Sequence, residues 1–215
     1  MDRTHTDLYA YLMRGAAPSA CSAFDSHLLA SVLTITSWEA AGDGRHLLAA
    51  TGLDRTSLLD LVWRAFPHAH ESMERAIPED AVVAVGEEEV FLRDLLSRSS
   101  SDNTVLEQRF AVILARRCQR PHHLWQDLGL RSRRELSWLM ECHFAPLAAR
   151  NARDMKWKKF LYRTICRDDG LLLCVAPTCS ECHDYQRCFG DEAGDSLLEH
   201  QPGSMELGER ERRHG

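Results

Sequence analysis

The chain has 215 residues, 44% of them apolar and 27% charged, with a formal net charge of −6; it is long enough to bury a full core and has the composition of a soluble globular protein. No apolar run approaches the roughly 18 residues of a membrane span, and the opening "MDRTHTDLYAYLMRG" lacks the sustained apolar stretch of a secretory signal. The expectation is a cytoplasmic protein without a membrane partner, in a compartment where thiols stay reduced.

The net charge hides an asymmetry. Residues 1–102 carry 8 basic and 16 acidic side chains, residues 103–190 carry 15 and 9, and residues 191–215 carry 3 and 7. The middle segment is the only cationic part, where an anion or an acidic partner is favoured.

In chain order the pattern is helical nearly throughout. "FDSHLLASVLTITSWEAAG" (24–42) has helical apolar spacing, with Asp25 or Ser26 as N-cap and Gly42 as a stop. "RHLLAATGLDRTSLLDLVWRAFP" (45–67) breaks at Gly52, restarts after Asp54 and ends before Pro67. "AVVAV" (81–85) has the best strand character, and "LLLCV" (171–175) is too short to decide. "SRSSSDNT" (97–104) reads as an exposed loop or linker. "NTVLEQRFAVILARRCQ" (103–119) begins at a cap-type Asn103 or Thr104 and stacks Leu106, Phe110, Ile113 and Leu114 on one side. "PHHLWQDLG" (121–129) places Pro121 at a first helical position, and Ser132 with Glu135 has capping-box spacing. In "RDMKWKKFLYRTICRDDG" (153–170), Trp157, Phe160, Leu161, Thr164 and Ile165 share one helix face and Gly170 marks the end. From Asp191 onward apolar content is too low to pack, which predicts a disordered acidic tail. The fold expected is mainly α: one helical domain comprising an acidic part (1–102) and a basic part (103–190), with a C-terminal cysteine-rich cluster-binding loop and the tail 191–215.

Four of the eight cysteines fall within "CVAPTCSECHDYQRC" (174–188), spaced C-x4-C-x2-C-x5-C. A C-x2-C step lets two thiolates converge on one metal or on two adjacent ones. Structural zinc favours two such pairs separated by a dozen or more residues. Here one short pair is flanked by longer arms, which suits a multinuclear iron–sulfur cluster better than a single tetrahedral ion. Zinc and redox-active thiols stay as alternatives. The first three cysteines match the start of plant-type ferredoxins, whose fourth lies far downstream in a strand-rich fold. Cys21, Cys118, Cys142 and Cys166 are scattered and read mostly as small buried hydrophobes.

"HHLWQDLGL" (122–130), "MKWKKFLYRTIC" (155–166) and the four-cysteine stretch closing on "CFG" (188–190) together resemble the NifQ family of nitrogen-fixation proteins. The resemblance covers residues 119–190. It implies a non-enzymatic carrier of iron–sulfur and molybdenum–iron–sulfur clusters that supplies molybdenum for the nitrogenase iron–molybdenum cofactor. It makes Cys174, Cys179, Cys182 and Cys188 the cluster ligands, and it implies a cofactor-assembly scaffold and the nitrogenase iron protein as partners. The chemistry agrees, since thiolates and sulfides give molybdenum, arriving as molybdate or from another donor, a soft environment. Three cysteines suffice for a 3Fe–4S-type core with a vacant corner, leaving the fourth thiol or a histidine to cap molybdenum.

His183, next to Cys182, is a candidate extra ligand, although such adjacency is common in loops. His122 and His123 could meet a metal or simply cap and pack against Trp125, and His143 reads as a satisfied core histidine. Lys156, Lys159, Arg163 and Arg167 fall within about 80° of one helix face, forming a stripe for molybdate or an anionic partner, or else an ordinary solvated face. Two other functions compete. One is an iron–sulfur electron carrier. The other is a metal-sensing regulator using residues 46–66 as a helix-turn-helix, although one Arg and two Asp in "GLDRTSLLDLV" argue against nucleic acid.

Overall fold

The computed structural model describes residues 5–17, 22–43, 46–168, 188–192 and 194–198. Among these there are eleven α-helices, one short 3-10 turn and no strand.

Helix α1 (His5–Arg14) packs on α2 (Ala23–Asp43), the long central helix. α2 buries side chains all round, so its polar residues bond inward: Thr34 donates to Ala30 O at 2.7 Å and Thr36 to Val32 O at 2.6 Å. Its cap is Ser22, whose Oγ accepts from Asp25 N at 3.0 Å, rather than Asp25 or Ser26. Gly42 lies inside the helix instead of stopping it.

Gly52 breaks the next stretch as expected. α3 (Leu47–Thr51) ends on Gly52 at φ +78°, and α4 (Arg55–Ala65) starts from Asp54, whose carboxylate accepts from Ser57 N. After a 3-10 turn at Pro67–Ala69 come α5 (His70–Ala76) and an extended run to Gly86. "AVVAV" therefore forms no strand. Its alternation is present, Ala81 and Val83 facing the core and Val82 exposed, but no partner strand is placed beside it among the described residues.

α6 (Glu87–Arg98) and α7 (Val105–Cys118) form a packed hairpin. The expected linker is a tight corner: Ser99 is buried, Asn103 takes φ +55°, and Thr104 and Glu107 form a capping box on α7. α8 (Leu124–Asp127) is a single turn capped by His123, three residues later than Pro121 suggested. α9 (Arg133–His143), α10 (Ala145–Arg150) and α11 (Trp157–Asp168) complete the fold. One hydrophobic core draws side chains from both the acidic and the basic parts, from Leu12 to Leu161.

The charge asymmetry is met across that core. Asp60 pairs with Arg109, Glu89 with Arg116 at 3.1 Å, Glu39 with Arg117 at 2.6 Å, and Asp25 with His143 at 2.8 Å. The cations of α7 are thus consumed internally. His143 is the satisfied core histidine its apolar face implied. In the helix-turn-helix-like pair, Arg64 and Arg55 also have acidic partners, Asp60 and Glu74, so α4 offers no cationic face for nucleic acid.

Candidate functional site

α11 is amphipathic, and its packing face is the one its spacing gave. Trp157, Phe160, Leu161 and Thr164 are buried, and Ile165 is partly so. Lys158 fixes the start of this helix. Its ammonium donates to Arg120 O at 2.5 Å, to His122 O at 2.7 Å and to the carboxylate of Asp127, which is fully buried. Three donors meet three acceptors, so the charge is completely satisfied. Arg117, also fully buried, donates to Asp127 O at 2.6 Å and forks onto Glu39 at 2.6 and 2.7 Å.

The turn before α11 is equally constrained. Asn151 donates to Met155 O and accepts from Met155 N, both at 2.9 Å. Asp154 adopts φ +54°, held by Arg133 through its carboxylate at 2.5 Å and its carbonyl at 3.1 Å. On this platform Lys156 N donates to Cys188 O at 2.9 Å, which places the last cysteine of the four beside the start of α11. Cys188 is partly buried, with Phe189 packed on the core and the Arg153 guanidinium 5.3 Å from the Phe189 ring centroid.

The chain after Cys188 is held too. Glu192 is nearly buried, 3.3 Å from Arg133 Nε and 3.7 Å from His123 Nδ1. Gln126 donates to Asp195 O at 3.0 Å while accepting from His123 N at 3.2 Å, and Ser196 is buried. Residues 191–192 and 194–198 of the acidic tail therefore lie against α8 through polar contacts, which low apolar content does not reveal. A helix of this length is about 18 Å long. Asp168 and Cys188 thus lie at opposite ends of α11.

Of the candidate ligands, Cys174, Cys179, Cys182 and His183 lie outside the described residues. His122 approaches Asp127 at 3.2 Å, and His123 caps α8 and faces Glu192. Among the described residues no three His, Cys, Asp or Glu side chains gather as a metal site. Of the scattered cysteines, Cys118 alone is buried among those described, and burial pushes its thiol up to about 12. Cys142 is exposed and Cys166 partly buried, because they sit on outward positions of α9 and α11. Cys21 lies outside the described residues.

The basic stripe divides. Arg163 and Arg167 line a cavity of about 180 Å³ between the end of α10, the 151–155 turn and α11, where Arg150 and Arg153 join them. Lys156 and Lys159 do not line it. Arg150 and Arg153 were missed because they precede the helix whose periodicity drew attention. The signal available was their position in the one segment whose cations outnumber its acids.

The NifQ family profile matches residues 28–190. The chain belongs to the NifQ family. The match reaches back into α2, well beyond the C-terminal motifs, and ends at Gly190, just past Cys188. The chain is 40% identical over 176 residues to the NifQ homolog of Sinorhizobium fredii, covering 80% of this chain and 75% of that protein. It is 37% identical over 153 residues to NifQ of Azotobacter vinelandii, covering 66% and 77%. A shorter stretch of 83 residues is 52% identical to NifQ of Rhodobacter capsulatus, covering 38% and 46%. No solved structure matches. NifQ membership gives the chain a role in nitrogen fixation, and no helix among the described residues is long and apolar enough to cross a membrane.

Proposed function

We propose that this protein is a cytoplasmic, non-enzymatic carrier that holds iron–sulfur and molybdenum–iron–sulfur clusters as cargo and donates molybdenum for assembly of the nitrogenase cofactor. Cys174, Cys179, Cys182 and Cys188 would hold the cargo, since four thiolates supply the soft donors that iron and partly sulfided molybdenum require. The observation that carries the reading is the position of Cys188. Its carbonyl is tied to Lys156 N, and Glu192, four residues on, sits between Arg133 and His123. The motif's closing end therefore rests on a rigid platform, while its thiol is only partly buried, unlike that of Cys118.

In this role the helical body fixes one end of the loop, at Cys188. The cationic surface beside α11 favours the approach of anionic species, and the acceptors would be a cofactor-assembly scaffold and the nitrogenase iron protein. His183, His122 and His123 are supplementary ligand candidates. Asp127 and Glu192 already face the latter two.

Anaerobic purification with elemental analysis tests the reading. It expects iron, acid-labile sulfide and molybdenum together. Iron and sulfide without molybdenum, after growth on molybdate, would favour an electron carrier. Zinc alone would overturn both.

A further inference from the structure

We infer that the run 81–85 and the cleft beside it are a docking edge for an extended segment of a protein partner, with apolar residues at alternate positions and Lys or Arg at both ends. Only two hydrogen bonds reach this run among the described residues. Ala81 N donates to Pro78 O at 3.4 Å, and Arg116 donates to Ala84 O at 2.7 Å. The backbone N–H and C=O groups of Val82, Val83 and Val85 have no protein partner there. Their side chains alternate, Ala81 and Val83 packing on the core while Val82 is 82% exposed. Five residues of extended chain span about 16 Å, enough to pair with an added strand.

The open backbone and a cleft coincide. Ala81, Val82, Val83 and Val85 line a space of about 780 Å³, together with Leu53 and with Val105 and Val112 of α7. Val105 is 61% exposed, so the apolar lining reaches the surface. The volume lies within the roughly 300–1,000 Å³ usual for clefts that hold a ligand. The walls are preformed. Arg93 donates to Gly52 O at 2.8 Å and pairs with Glu89 at 2.6 Å, Arg109 pairs with Asp60, and Asp54 caps α4. The charged groups lining the cleft are thus already engaged, and what it offers an occupant is apolar side chains and open backbone.

Charge outside the cleft selects that occupant. Glu79 and Asp80 precede the run and Glu87 follows it; all three are exposed, and none has an ion pair among the described residues. A second copy of this chain is disfavoured. Antiparallel pairing centred on Val83 would set Glu79 against Glu87 of the other copy, and parallel pairing would set like beside like. Acidic flanks of this kind guard an exposed edge against self-association. An incoming strand with cations at both ends meets the same carboxylates favourably and is steered by them. Its backbone then supplies affinity and its alternate apolar side chains supply fit. The inference is independent of the carrier reading, since none of these residues belongs to α11 or to the cysteine motif.

Fluorescence anisotropy of the full chain tests the edge, with a labelled peptide of alternating valine and threonine carrying two lysines at each end. We expect saturable binding that weakens at high salt. The same peptide with glutamates at its ends, or with its valine and threonine nitrogens methylated, should bind at least tenfold more weakly. Val105→Lys should lose at least tenfold, as should the pair Glu79→Lys, Glu87→Lys. Phe91→Ser, at an exposed apolar residue of α6 outside the cleft, should stay within twofold. Circular dichroism verifies that each variant is folded. Absence of saturable binding by the parent chain would overturn the proposal. So would equal binding of the lysine-ended and glutamate-ended peptides, or equal losses in Phe91→Ser and Val105→Lys. Two further results would assign the edge to another occupant and overturn it as well. One is self-association of the parent chain in sedimentation that Val105→Lys abolishes, which points to a second copy. The other is displacement of the labelled peptide by a peptide of residues 199–215, which points to the chain's own tail.

Discussion

The ammonium of Lys158 rests on the fully buried carboxylate of Asp127, with the carbonyls of Arg120 and His122 as its other two acceptors. This single contact ties together "HHLWQDLGL" and "MKWKKFLYRTIC", two of the three stretches by which the sequence resembles its family. It explains why lysine follows tryptophan in the second and aspartate sits near the end of the first. Neither side chain needs a metal or ligand to account for its place.

Removing one member strands the other. Lys158→Met leaves the buried Asp127 carboxylate with only the half-exposed His122 ring, 3.2 Å away, as a side-chain partner, and a broken buried pair costs about 3–5 kcal/mol. Urea titration should show that loss. The double variant Lys158→Met, Asp127→Leu should recover most of it. If Lys158→Met alone left the midpoint unchanged, His122 would suffice to hold the Asp127 carboxylate and the Lys158 contact would not be what stabilises it.

Phe160 is buried, lines the same cavity as Phe189, and stacks edge-on against Trp157 at 5.7 Å. Phe160→Ala should cost about 3–5 kcal/mol. Because the same ring walls the space beside the last cysteine, iron retained after gel filtration should fall as well. Unchanged stability would place this ring outside the core.

Stability should fall on the alkaline side. Burial pushes Cys118 up to about 12, with Lys158 pulling the other way, and burial also raises Tyr162 to about 12. A thiol or phenol held neutral in the fold ionises earlier in the unfolded chain, near 8.5 and 10 respectively. The unfolded state then releases protons first, so stability is intact below about pH 8.5 and declines toward pH 12. Cys118→Ala should flatten the thiol's share of that decline in denaturant midpoints measured across this range.

The acid side runs oppositely. Burial works to raise Asp25, but hydrogen bonds from His143 and Ser22 outweigh it, and Asp60 is lowered by hydrogen bonds from Arg64 and Arg109. Carboxyls lowered in the fold add stability above about pH 4, their ordinary value, and lose it as pH falls below. Asp25→Asn should make the midpoint less steep between about pH 4 and 2. An unaltered slope would mean that His143 does not hold Asp25 in solution.

Much of the helical body was legible because its signals are local. Gly52 and Asp54 split α3 from α4, Thr104 and Glu107 cap α7, and the Trp157–Ile165 spacing gives the buried face of α11. What failed was the reading of segments whose conformation is decided from afar. "AVVAV" alternates like a strand but lies on helices, and residues 97–104 look like a linker until Glu107 gathers the backbone of Asp102 and Thr104. The site was only half visible for the same reason. Arg163 and Arg167 follow from helix periodicity, whereas Arg150 reaches the same cavity from the end of α10 and Arg153 from a turn shaped by Asn151 and Arg133. The polar anchoring of Glu192 and Asp195 was equally invisible to hydropathy.

The central claim is that the thiols of residues 174–188 grip an inorganic iron–sulfur core, and acid-labile sulfide with paramagnetic resonance on anaerobic protein tests it most directly. The parent chain and a Cys142→Ala control, altered at an exposed cysteine outside the motif, should carry sulfide and an iron–sulfur signal. Cys182→Ala should lose most of both. Equal sulfide in Cys182→Ala and the control, or none in the parent chain, would contradict the account.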